Sequence, residues 1–127
     1  MEPYALAEEE GRSYEWHEVV FTIKAAAGET GGALALWEAT TRKGEEPQTH
    51  VHEEDEMFYL LSGSITFRCG EQSFRVRDHG FVLLPRGIPH SYTIESEEVR
   101  LLGFSTPSTF GDHIERTGKR VRRDTRS

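Results

Sequence analysis

The chain has 127 residues, of which 35% are hydrophobic, 29% charged and 10% aromatic. That is one domain's worth, and the balance excludes a disordered or fibrous protein in favour of a globular one with a core of its own. A formal net charge of −7 argues against nucleic acid or an anionic membrane as a partner.

Residues 1–18 read as a polar, glutamate-rich arm. They contain neither the basic region nor the apolar run of a leader peptide, so a cytoplasmic protein is expected. Residues 19–110 then read as short β-runs cut by turn signals. Val19 to Ile23 is β-branched and aromatic, and the glycines between 28 and 32 break it. Leu34 to Thr41 follows, ended by Arg42-Lys43-Gly44. The run around His50 and His52 leads into an acidic corner, Glu53-Glu54-Asp55. Met57 to Leu61, an apolar run of five that no other in the chain exceeds, turns at Ser62-Gly63 into Ser64 to Cys69. A membrane span needs roughly 20 apolar residues, far more than that run offers. Ser73 to Arg77 alternates strictly, which predicts one buried and one wet face. Phe81 to Leu84, Ser91 to Ile94 and Val99 to Phe104 complete the set. So many short strands in one domain predict an all-β sandwich, barrel or jelly roll. Residues 111–127 read as an irregular basic tail: from Glu115 to Ser127 six basic residues stand against two acidic ones. Cys69 is the sole cysteine, so no intrachain disulfide forms.

Four residues carry the chemistry. His50 and His52 lie two apart in a β-run, so both rings project from one face, separated by about 6.7 Å along the strand. Glu56 follows four residues later, where the next strand can return its carboxylate to the same face. His90 comes after Pro85-Arg86-Gly87-Ile88-Pro89, a segment built to bend. Three imidazoles and one carboxylate inside a barrel make a site for a divalent transition metal with positions left open. For either histidine of the first pair alone, a surface place in an acidic loop is the better reading. The spacing of the whole set displaces it.

That spacing resembles the cupin superfamily. The first cupin motif is matched by Gly44, His50, His52, Glu56 and Gly63, the second by Pro85, Gly87 and His90. The resemblance implies a double-stranded β-helix, the cupin jelly-roll barrel, holding one metal by His50, His52, Glu56 and His90. His79-Gly80 stands where the second motif usually reads Gly-Asp, and Ile94 where asparagine is common; neither position is a ligand in the family. His17, His79 and His113 fall outside the motifs and read as surface or loop residues. Within the superfamily the chain resembles single-domain cupins similar to one half of quercetin 2,3-dioxygenase, many of which serve bacterial secondary metabolism. That likeness implies a catalytic role for Glu56 as ligand and general base.

Strand parity adds the cavity wall. Gln48 shares a face with the histidine pair, Phe58 with Glu56 and Tyr92 with His90, and these three are the expected substrate contacts. Ile65, Phe67 and Cys69 form another inward row. Three functions compete: a metal-dependent dioxygenase acting on a small aromatic or enolic substrate, a metal-dependent cyclase, isomerase or lyase, and a non-catalytic small-molecule-binding cupin. Fe, Ni, Mn, Co, Cu and Zn all suit such ligands. A homodimer is expected, because an open jelly roll leaves strand edges and the run through Phe21 and Ile23 offers one.

Overall fold

The computed structural model describes residues 1–46 and 49–122. It is built from antiparallel strands in two sheets, as the short β-runs predict. In chain order these are β1 (Arg12–Trp16), β2 (Val19–Ala25), β3 (Ala35–Arg42), β4 (Asp55–Ser62), β5 (Ile65–Cys69), β6 (Gln72–Val76), β7 (Phe81–Leu84), β8 (His90–Ile94), β9 (Glu98–Thr106) and β10 (Lys119–Val121). Two helices interrupt them, α1 (Ala27–Thr30) and α2 (Thr109–Thr117). The larger sheet runs β10-β1-β2-β3-β9-β4-β7 and the smaller β6-β5-β8.

Side-chain alternation makes the core. In β3, Ala35, Trp37, Ala39 and Thr41 point inward; in β9, Val99, Leu101, Gly103 and Ser105 do. Ile65, Phe67 and Cys69 of β5 are buried, the row expected from parity. Trp37 pairs with Gly103 across β3 and β9, and a Cβ on Gly103 would lie 2.4 Å from the indole. Glycine there leaves the space that the indole fills.

Some segments depart from the sequence reading. The stretch 1–18 contains β1, joined to β2 by a two-residue turn, His17-Glu18, with both residues at positive φ (51° and 68°). Such a hairpin turn is ordinarily announced by Asn-Gly or Asp-Gly, so this one sends no signal. The stretch 111–122 carries most of α2 and all of β10, which pairs with β1. Ile114 is fully buried, and Gly111 packs so tightly on Ala35 that a Cβ would lie 2.6 Å from that methyl. The β-run at His50 and His52 is an isolated bridge rather than a strand. His50 and His90 exchange backbone hydrogen bonds of 3.0 and 2.9 Å, and Gly87 donates to the His52 carbonyl at 3.0 Å. The bend before His90 thus supplies the partners a neighbouring strand would have. In β6 the alternation is only half realised: Val76 is buried and Phe74 is 40% exposed, because β6 forms a sheet edge. β2, with Phe21 and Ile23, is flanked by β1 and β3 and offers no open edge; the edges of the larger sheet are β10 and β7.

Candidate metal centre

His50, His52, Glu56 and His90 converge. One ligand atom from each, imidazole nitrogen or carboxylate oxygen, can be chosen so that all lie within 4.8 Å of one another. Glu56 comes from the start of β4 and His90 from the start of β8; both are almost fully buried, at 4% and 3% exposure. The rings of His50 and His52 stack at 4.9 Å with 18° between planes, and His90 meets them edge-on at 4.5 and 4.9 Å.

Hydrogen bonding fixes which atoms face inward. His90 Nδ1 lies 3.1 Å from the Ile88 carbonyl, which can only accept, so Nδ1 carries a proton and Nε2 is the nitrogen that faces the cluster. That Nε2 sits 3.2 Å from Glu56 Oε1, yet the direction is wrong for a hydrogen bond and the nitrogen is left buried without a partner. His52 Nε2 is 3.5 Å from the same oxygen. Donor atoms packed this closely, with His90 Nε2 buried and unpartnered among them, are what a cation requires. The residues therefore fit a divalent metal, and the donor set of imidazoles plus one carboxylate suits a borderline transition ion. Burial draws the His90 pKa down, but the Glu56 carboxylate and the Ile88 carbonyl together hold it above the usual histidine value.

The cluster borders a cavity of about 630 Å³, ordinary for a small-molecule site. Phe58 and Tyr92, the expected substrate contacts, line it together with His50, His52 and Glu56. Gln48 lies outside the described residues. Burial, reinforced by the Glu56, Glu46 and Glu45 carboxylates, raises the Tyr92 pKa, so the hydroxyl stays protonated and able to donate. Cavity residues not expected from the sequence come from both ends of the chain: Trp16, His17 and Glu18 from the β1–β2 hairpin and Phe110 from α2. Their only signal was aromatic residues in otherwise polar segments. His79 adopts a left-handed conformation (φ 66°), with Nδ1 3.3 Å from the Tyr59 hydroxyl, outside the cluster.

Residues 37–104 match the Cupin_2 family, described as a cupin domain. The chain belongs to that family. This cupin is 28% identical over 109 residues to quercetin 2,3-dioxygenase of Bacillus subtilis strain 168, an alignment covering 85% of the chain and 32% of that enzyme. The chain thus spans about a third of that relative's length. Among solved structures, an RmlC-like cupin from Shewanella frigidimarina superposes with a TM-score of 0.69 at 13% identity, over 84% of this chain and 92% of the other. KdgF from a Halomonas species gives 0.69 at 14% identity, over 84% and 94%. These likenesses show the cupin fold. No helix among the described residues is long and apolar enough to cross a membrane.

Proposed function

We propose that this cupin is a metal-dependent enzyme, a dioxygenase acting on a small aromatic or enolic substrate. The observation that carries the reading is the convergence of three imidazoles and one buried carboxylate beside a largely apolar cavity, whose wall His50, His52 and Glu56 help to form. The distant likeness to quercetin 2,3-dioxygenase supports the oxidative reaction class.

His50, His52, Glu56 and His90 are the residues that would hold the metal. When bound, a divalent transition metal supplies Lewis acidity and, where it is redox-active, electron exchange with dioxygen. The rest is work for the chain itself. Phe58 and Phe67, whose rings stack at 5.6 Å, present an apolar wall against which a flat ligand packs and from which water is excluded. Tyr92 donates its hydroxyl proton in a hydrogen bond to a substrate oxygen. Glu56, buried and adjacent to that oxygen's position, accepts the substrate hydroxyl proton as general base.

The test is metal analysis of protein purified without chelator, followed by oxygen uptake over a panel of enolic and catecholic compounds. Oxygen consumption coupled to substrate loss is the expected result. Turnover that runs equally well under nitrogen would replace the dioxygenase by a cyclase, isomerase or lyase, and ligand binding without turnover would leave a binding module. The reading extends to a homodimer, supported by the exposed Phe81 and Leu83 on edge strand β7; a light-scattering mass of 14.5 kDa overturns it.

A further inference from the structure

The acidic corner Glu53-Glu54-Asp55 reads in the sequence as one patch of charge, but the fold divides it. Asp55 is taken by Arg86, whose guanidinium lies 3.0 Å away and whose backbone N–H donates at 2.8 Å. Glu53 is exposed. Glu54 turns inward, its side chain only 13% exposed, with Oε1 3.2 Å from His52 Nδ1. The other carboxylate oxygen of Glu54 accepts a hydrogen bond from Thr109 Oγ1 at the start of α2.

The two nitrogens of the His52 ring therefore face different partners. Nε2 looks toward Glu56 and the cluster, whereas Nδ1 is buried, has no aligned hydrogen bond, and has Glu54 beside it. Phe110, the next residue of α2, lies parallel to the same ring, with 8° between planes and centroids 6.1 Å apart. One turn of helix thus contacts the imidazole face directly and its edge through Glu54. Neither Thr109 nor Phe110 falls within the 37–104 stretch that matches the family. A ligating imidazole ordinarily donates its second N–H to a carboxylate or carbonyl, which fixes the tautomer and the plane of the ring. His90 has the Ile88 carbonyl for that purpose; the carboxylate available to His52 is Glu54.

We propose that Glu54 is a positioning residue of the metal centre, orienting the His52 imidazole through Nδ1 while Thr109 and Phe110 of α2 hold the pair in place. The inference rests on the metal-binding reading above and adds to it a role for the C-terminal helix. It needs no oxidative chemistry, so it is independent of which reaction the enzyme performs.

Co2+ titration of the full chain, followed by its visible absorption, is the first measurement. Glu54→Ala is expected to weaken Co2+ binding about 10–100-fold, the usual cost of removing an outer partner of a ligating histidine. Glu54→Gln, near in shape and still able to accept from Nδ1–H, recovers part of that loss, and Thr109→Val gives a smaller weakening than Glu54→Ala. The second measurement needs no metal: 15N chemical shifts of the His52 ring are expected to show the Nδ1–H tautomer in the wild type and a shift toward Nε2–H in Glu54→Ala. A purely structural role for Glu54 would lower the thermal midpoint and leave tautomer and Co2+ affinity unchanged. Wild-type binding of Co2+ with affinity and tautomer both unchanged in Glu54→Ala overturns this proposal alone. Failure of the wild type to bind Co2+ overturns it together with the metal-centre reading.

Discussion

At the scale of single residues, geometry separates side chains that look equivalent in the sequence. Six histidines divide into three that converge with Glu56 and three that do not, and burial follows the division: His90 is 3% exposed, whereas His17, His79 and His113 are exposed. Tyr92 is a cavity phenol that burial and the Glu56 carboxylate keep protonated, so Tyr92→Phe is expected to lower kcat/KM about tenfold, as loss of one hydrogen bond does. Metal stoichiometry by elemental analysis should stay unchanged, which separates this effect from damage to the site. Gly103 has a different kind of constraint. Gly103→Ala forces a methyl into the Trp37 indole and is expected to cost about 3 kcal/mol in urea unfolding, the upper range for overpacking. An unchanged midpoint would mean that β3 and β9 separate more easily than their eight paired positions suggest.

At the scale of elements, the strands legible in the sequence are those whose two faces differ in polarity. β3, β5 and β9 bury alternate residues with few exceptions, and their apolar period of two announces them. β1 and α2 are hidden for definable reasons. The β1–β2 turn uses His17-Glu18, where two side chains occupy a left-handed conformation that glycine or asparagine adopts more readily. Replacing the pair by Asn-Gly is expected to raise stability by about 1 kcal/mol, measured by chemical unfolding. α2 offers only Phe110 and Ile114 as large apolar residues among nine positions, spaced i, i+4, too few for a periodic pattern to stand out. What draws the helix onto the barrel is the fit of Gly111 against Ala35 and of Phe110 among Trp16, Phe21 and Trp37, where ring centroids lie 5.1–6.3 Å apart.

At the scale of the whole molecule, one arginine joins β1 to both helices. Arg12 of β1 pairs with Glu29 of α1 at 3.0 Å and with Glu115 of α2 at 2.6 Å. All three side chains are partly exposed, so the network is worth about 1 kcal/mol. Arg12 holds the Glu29 carboxyl below its ordinary value of 4.5. A depressed folded pKa contributes stability that is full above the unfolded value and lost as pH falls through the folded one. Arg12→Met is therefore expected to lower the thermal midpoint at neutral pH and to flatten its acid decline below about pH 4.5. An acid limb as steep as that of the wild type would show that other carboxylates carry it.

The cupin barrel and the four candidate ligands were legible in the chain because both depend on local spacing. Alternation reports which face of a strand is buried, and two motifs place His50, His52, Glu56 and His90 relative to their turns. The assignment of Glu54, Thr109, Phe110 and the His17–Glu18 turn to the site belongs to the tertiary structure. Phe110 and the His17–Glu18 turn line the cavity, and Glu54 meets Thr109 beside His52; such contacts between segments distant in the chain carry no periodic signature. A carboxylate in an acidic run is the same letter whether it faces water or a histidine, and only the packing of α2 against β3 and β1 decides which.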